Sequence, residues 1–265
     1  MTETPMVNAP PDSGREKVML VGGSDTSKTR ALVTLAMMYP DRRVVILDPD
    51  DGVKKTLMEF GYTLSTLPNL SLIQVTKDWS AMMALYNQWR EVLVEGDWLC
   101  FDMLGRFWDL VQGYYSQTVF GKSHAEHLLE LKRMSKQTSF NGFDGLTDWP
   151  LIKNMHNTEL IDDAVLFSRF NVMATTSVGN FSPKEKIPKD GVMGLFASKF
   201  GVKPEGEKHN IYRFDTIAFL HQNATNQAYV FNIVKDRGRP FDINTEHSIQ
   251  GSAFWPVYRE LKGIV

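Results

Sequence analysis

The apolar run Lys-Val-Met-Leu-Val-Gly at residues 17–22 passes through Gly23-Ser24-Asp25-Thr26-Ser27 into a helix-forming segment that opens on Lys28 and Thr29 and closes before Pro40. Strand, small-residue turn and helix in direct succession restrict the fold sharply. The strand is too apolar to leave a face in water, so it belongs inside a sheet covered by helices on both sides. The alternation continues along the chain. Residues 43–48 read as a second strand, 51–60 as a helix and 71–75 as a short strand. Segment 81–94 has the three- and four-residue apolar spacing of an amphipathic helix, and 98–101 is again a strand. Helices are expected over 104–115, 124–136 and 150–168, and a strand over 170–176. Two later runs, 212–221 and 228–235, read as strands joined by the hairpin turn Asn223-Ala224-Thr225-Asn226, and 252–261 as a short helix. The expected architecture is α/β, a mostly parallel central sheet flanked by helices with a C-terminal antiparallel β extension.

A chain of 265 residues can bury a full core as one domain. That domain is expected over 17–265, with 1–16 as a flexible, polar, Pro-rich tail that lacks the apolar stretch of a signal peptide. A net charge of −2 excludes attraction of the whole chain to nucleic acid and leaves that role to a local patch. One cysteine, Cys100, cannot form an internal disulfide, which suits the reducing cytoplasm. No stretch approaches the roughly 18 apolar residues of a membrane span, so no membrane association is expected.

Four short stretches can carry chemistry. In the first, Gly22, Lys28 and Thr29 stand at the spacing of the phosphate-loop pattern G-x-x-x-x-G-K-[ST], with Ser27 in place of the second glycine. Such a loop wraps a polyphosphate in backbone N–H groups at a helix N-terminus. The candidate nucleotide contacts are therefore Gly22, Gly23, Ser24, Asp25, Thr26, Ser27, Lys28, Thr29 and Arg30. Lys28 would reach the outer phosphates, and the Thr29 hydroxyl would ligate Mg²⁺. The competing reading is an ordinary turn with an exposed lysine. In the second stretch, Asp102 ends the apolar run 98–101 and would sit at the ligand-binding end of a parallel sheet, suited to the same metal ion. The third, Asp48-Pro49-Asp50-Asp51, is either a solvated turn with Asp50 or Asp51 as helix N-cap, or the source of a base that orients attacking water. The fourth, Lys235-Asp236-Arg237-Gly238-Arg239, is either a solvated basic turn or a pair of cations that reach a neighbouring subunit's γ-phosphate.

In this order, the four stretches resemble the RecA-like (AAA-type) branch of P-loop ATPases, in particular phage-encoded nucleotide-binding proteins such as the single-strand-annealing recombination ATPases. The resemblance implies ATP and Mg²⁺ as cofactors, Lys28 and Asp50 as catalytic groups, and Thr29 with Asp102 at the metal. Asp50 stands where the family has the glutamate of a D-x-E motif, one methylene longer. It also implies a polar sensor at Thr176 or Ser177, and a ring or filament of identical subunits in which Lys235 and Arg237 act across the boundary. Single-stranded DNA is the implied partner, recombination or replication the implied process, and the cytoplasm of a phage host the implied location. Ser27 and Asp50 depart from the pattern. They keep open a P-loop module that binds nucleotide as an assembly switch, or a structural protein with little hydrolysis. A small-molecule kinase is disfavoured because no lid arginines follow.

The expected DNA surface is the loop 182–210, where Lys184, Lys186, Lys189, Lys199, Lys203 and Lys208 face four acids. Phe181, Phe196 and Phe200 could stack on unpaired bases. Packing onto the core is the alternative, favoured for Phe196 and Phe200. His124 and His127, three residues apart on one helix face, lack further ligands and read as a surface pair. The tryptophans read as core or interface anchors.

Overall fold

The computed structural model describes residues 14–75, 78–134, 142–182, 185–237, 242–249 and 253–263. Element order is β1 (Lys17–Gly22), α1 (Lys28–Met38), β2 (Val44–Asp48), α2 (Gly52–Glu59), β3 (Leu70–Gln74), α3 (Trp79–Val92), β4 (Trp98–Phe101), α4 (Leu104–Phe120), α5 (His124–Met134) and α6 (Asp148–Lys153). A wide-turned π-helical stretch, Asn154–Phe167, continues α6. Then come β5 (Asn171–Thr176), β6 (Val178–Gly179), α7 (Gly191–Leu195), β7 (Lys203–Pro204), α8 (Asn210–Arg213), β8 (Thr216–Gln222), β9 (Tyr229–Asp236), β10 (His247–Ser248) and α9 (Phe254–Lys262).

The main sheet runs β10-β9-β8-β1-β5-β4-β2-β3. All pairings from β8 to β3 are parallel, whereas β9 and β10 add antiparallel strands at one edge. The strands alternate between two cores, as a period of two requires. Met19, Val21, Val45 and Leu47 join the layer of α3, α4 and the π-helical stretch. Val18, Leu20, Val44 and Ile46 join that of α1, α2 and α9. This double coverage explains why β1, β2 and β4 read as unbroken apolar runs. Trp98 and Trp255 meet edge to face at 4.9 Å in the second core, and Trp79 is buried in the first.

Several boundaries differ from expectation for identifiable reasons. Helix α4 continues past 115 to Phe120, where Gly121 stops it in a left-handed conformation at φ 66°. The run 212–221 does not begin as a strand. The buried carboxylate of Glu207 accepts the His209 backbone N–H at 2.8 Å and faces Arg213 at 3.6 Å, which draws 210–213 into the helical turn α8. Sequence patterning gave no sign of β6, β7 or β10, each only two residues long. Arg15 and Glu16, expected in the tail, are anchored. Arg15 donates to the Val165 carbonyl at 3.0 Å, and the Glu16 N–H donates to Asn171 at 2.8 Å. Residues 1–13 lie outside the described residues, as do Lys184, Gly238 and Arg239. Among the described residues, no helix is long and apolar enough to cross a membrane.

His127 is not a surface group: it is buried, its ring stacked 3.9 Å from Phe120, with Nε2 3.0 Å from the Gly142 carbonyl. His124 stacks on Phe143 at 4.8 Å. Ring stacking within an aromatic cluster accounts for the pair. No group of three or more His, Cys, Asp or Glu suited to a metal occurs among the described residues.

Candidate nucleotide site

The parallel strands β1, β4 and β5 all end at the same side of the sheet, and the loop Gly23–Ser27 crosses from β1 to α1 there. A Cβ on Gly22 would stand 2.3 Å from Thr26 Oγ1 and 2.7 Å from the Leu220 carbonyl oxygen, so only glycine allows so tight a departure from the strand. Asp25 (φ 58°) and Ser27 (φ 67°) are both left-handed. Ser27 thus occupies the conformation that makes glycine the usual residue at this position. The loop keeps its shape and carries the strain, which a β-carbon in this region costs at about 1–2 kcal/mol. Ser27→Gly removes that strain but loosens the unfolded chain. A net stabilisation of roughly 0.5–1 kcal/mol is expected, readable as a thermal midpoint raised by about 1–4 °C.

Lys28 is only 8% exposed and folds back along the loop. Its Nζ donates to the Gly22 carbonyl at 2.9 Å, to the Gly23 carbonyl, and more weakly to Thr26 Oγ1 at 3.4 Å. Burial pulls the Lys28 ammonium below its usual range, while Asp102 and Asp25 oppose that shift. An ammonium resting on two carbonyls is poised to exchange them for phosphate oxygens, which carry full charge.

Asp102, 3% exposed, follows β4 and is joined to Met103 by a cis peptide bond. Thr29 donates to one carboxylate oxygen at 2.9 Å, and Thr175, at the end of β5, donates to the other. Burial pushes the Asp102 carboxyl up, the two hydroxyls pull it down, and the Asp48 charge adds to the upward push while Lys28 offsets it. A buried carboxylate held by neutral hydroxyls, with a lysine nearby, fits a hard divalent cation. Mg²⁺ needs only one or two protein oxygens when phosphates and waters complete its shell. Thr29 and Asp102 are the residues that would hold it.

Asp48 is fully buried and structural. Its two oxygens accept the backbone N–H groups of Asp50 and Val53, each at 3.0 Å. Asp48 therefore does the capping work expected of Asp50 or Asp51; Asp51 is left-handed at the N-cap and makes no cap bond. Asp50 instead meets Arg106 on α4, whose Nε lies 3.2 Å from its carboxylate. Thr176 and Ser177, the expected sensor positions, both bind the foot of the basic loop. Thr176 donates to the Glu205 carbonyl at 2.9 Å, and the Ser177 hydroxyl donates to the Glu205 carboxylate. Among the β5 hydroxyls, Thr175 is the one on Asp102. A cavity of about 440 Å³ lies over the loop, walled by residues 24–30 together with Thr56, Glu59, Met103 and Tyr229.

Lys235 and Arg237 lie at the other end of the sheet. In the β8–β9 pairing, Asp236 faces Thr216 and Tyr229 faces Gln222, while Leu220 lies beside Gly22. Seven residues of strand place the pair about 20 Å from the loop after β1. Lys235 Nζ caps the carbonyls of α8, at 3.1 Å from Ile211, 3.3 Å from Tyr212 and close to Phe214; Arg237 pairs with Asp215 at 3.1 Å. Neither reaches its own chain's site. On the loop 182–210, Lys186, Lys189 and Lys208 are exposed, Lys199 donates to Asn244 at 2.7 Å, and Lys203 pairs with Glu185. Phe196 is buried against Phe219 at 5.7 Å and Phe200 lies 4.2 Å from the same ring, so both pack the core; Phe181 stays half-buried with Lys203 over its ring.

Sequence reading missed Thr175, Arg106 and Tyr229. The only available signal was position at or beside the C-terminal ends of strands for the first two; Tyr229 gave none.

No protein-family model matches the chain, and no curated protein matches it. Among solved structures it is similar to the crystal structure of the RadB recombinase, at 12% identity and a TM-score of 0.50 over 89% of this chain and 88% of that one. At that identity the likeness concerns the fold. Taken with the strand order, it shows that the chain has the RecA-like α/β fold.

Proposed function

We propose that this protein binds ATP at the loop 22–30 and hydrolyses it with Mg²⁺, in the service of DNA recombination or replication. The observation that carries this reading is the pairing of Thr29 with Asp102 at 2.9 Å beside the buried Lys28. A hydroxyl, a carboxylate and an ammonium converge on one loop of left-handed turns, a combination an ordinary surface turn has no need of. Lys28 and the loop amides hold the phosphates. Thr29 and Asp102 would hold the metal, which would supply charge neutralisation to the phosphates. Asp50 orients and deprotonates the attacking water. The likeness in fold to a recombinase, together with the exposed lysines of the 182–210 loop, supports single-stranded DNA as partner.

Because Lys235 and Arg237 lie at the far end of the sheet, they can serve a phosphate site only from a neighbouring subunit. On this reading the active form is a homo-oligomer. Arg237→Ala is expected to leave nucleotide affinity within about twofold and to reduce turnover roughly 10³-fold, the size of an arginine-finger loss. Mixing Arg237→Ala with Lys28→Ala subunits should recover part of the wild-type rate, since some interfaces then contain both an intact loop and an intact arginine. A mixture as inactive as its components would remove the trans assignment.

The direct test is nucleotide binding by calorimetry and phosphate release, each with and without Mg²⁺ and single-stranded DNA. Mg²⁺-dependent turnover supports the enzyme. Tight binding with no turnover under any condition would replace it with a nucleotide-dependent assembly switch. Absence of binding would leave the phosphate loop a structural turn.

A further inference from the structure

Lys235 and Arg237 stand two residues apart at the end of β9 and are engaged very differently. The Lys235 ammonium donates to the carbonyls of Ile211, Tyr212 and Phe214, at and just past α8. Burial, followed by the Arg237 charge, pulls it below its usual range. Leaving that place would strand the last carbonyls of a helical turn. Arg237 is the opposite case. Its side chain is 64% exposed, and among the described residues its guanidinium has one ionic partner, Asp215, at 3.1 Å.

Asp215 is fixed by backbone on both sides. Immediately before β8, its N–H donates to the Lys17 carbonyl at 3.0 Å, and the Arg237 N–H donates to the Asp215 carbonyl at 2.9 Å. The side chains repeat that order across the sheet. Lys17 lies 3.8 Å from one carboxylate oxygen of Asp215, and Arg237 meets the other. Lys17 is only 15% exposed. Burial pulls its ammonium below the usual range, Asp215 opposes that, and the charges of Arg15 and Arg237 add to the fall. The neighbouring acids Glu16 and Asp236 both pair with Lys262. Arg15, Lys17 and Arg237 therefore share Asp215, and this end of the sheet holds more positive charge than that one carboxylate neutralises. Arg237 is the member exposed enough to meet an anion from outside. With one N–H edge on Asp215, its remaining donors keep a set direction for a phosphate.

We propose that Asp215 is a positioning residue that aims Arg237 at the γ-phosphate held by a neighbouring subunit. This rests on the proposed ATPase and on Arg237 acting across the subunit boundary. An ion pair at the surface orients a side chain only modestly, so Asp215 tunes the rate and does not create it.

The test measures ATP turnover, binding of a non-hydrolysable ATP analogue and thermal midpoint in wild type, Asp215→Asn, Asp215→Glu, Arg237→Ala and the double variant Asp215→Asn/Arg237→Ala. Asp215→Asn should lower kcat about two- to fivefold with KM and analogue affinity unchanged. Asp215→Glu keeps the charge that Lys17 and Arg237 share, so it should fold as wild type does and recover most of the rate. The double variant should turn over no more slowly than Arg237→Ala alone, because the carboxylate acts through the guanidinium. Mixed with Lys28→Ala subunits, which bring an intact Asp215 and Arg237, Asp215→Asn should regain turnover per intact phosphate loop. An Asp215→Asn protein that turns over as fast as wild type or faster overturns the inference and leaves Arg237 in place. So does a loss of equal factor in the Arg237→Ala background, the mark of a merely structural acid. Wild-type turnover by Arg237→Ala overturns the action across the boundary, and the inference with it. Failure of every form to bind the analogue overturns the proposed function itself.

Discussion

Lys28→Ala should weaken ATP binding roughly 10- to 100-fold, the range of a lost charge-assisted hydrogen bond. Turnover by whatever nucleotide still binds should fall by a further factor of about 10²–10³, the cost of removing a preorganised donor from a developing charge. The expectation follows from where the ammonium rests. Lys28 is buried, desolvation disfavours its charge, and two backbone carbonyls accept from its ammonium. Binding exchanges neutral acceptors for charged ones, so the differential interaction with nucleotide is large. The folded protein without nucleotide loses little, because the carbonyls of Gly22 and Gly23 can turn to water in the open cavity. Isothermal titration with a non-hydrolysable analogue and single-turnover phosphate release separate the two losses, and circular dichroism checks that the fold persists. A variant that binds ATP as wild type does would mean that the loop amides carry the affinity and that Lys28 serves only to brace the loop.

Much of the frame was legible because burial on both faces writes itself into the sequence. The boundaries of β4 follow directly from four consecutive apolar residues between Asp97 and Asp102, and β1 runs into its loop where Gly22 demands it. The meeting of Thr29 and Asp102 was legible too, since a motif spacing and a strand end fix the two residues. What remained hidden depends on three-dimensional register. Thr175 and Thr176 are adjacent and point to opposite sides of β5, and only the pairing with β4 decides which meets Asp102. Arg106 is one charged residue on a helix until α4 is packed beside the β2–α2 turn. Residues 210–213 become helical because Glu207 is buried and must find partners, a demand that no local propensity reveals. The lysines of 182–210 count alike in sequence, but their pairing with Glu185 and Asn244 leaves them unequal.

Asp102→Asn should separate stability from activity. The carboxylate is nearly inaccessible to water, and the hydroxyls of Thr29 and Thr175, with the Lys28 charge nearby, compensate only in part for its lost hydration. Burying a charge whose direct hydrogen-bond partners are neutral is costly, and a neutral isostere removes that cost at the expense of the weaker attraction to Lys28. The asparagine amide can accept from one threonine and donate to the other, because a hydroxyl serves in either role. The nucleotide-free variant should therefore gain about 1 kcal/mol, raising its thermal midpoint by roughly 2–4 °C. Its hydrolysis should fall about 10²–10³-fold, since the group proposed to hold Mg²⁺ has lost its charge. Addition of Mg²⁺ with nucleotide should raise the wild-type midpoint by mass action and raise that of the variant much less. The two curves would then cross, with the variant more stable alone and the wild type more stable when loaded. A variant that is less stable alone would show that Asp102 is a structural anchor for Thr29 and Thr175. The crossing is specific to a site that tolerates a poorly compensated charge because it expects a cation.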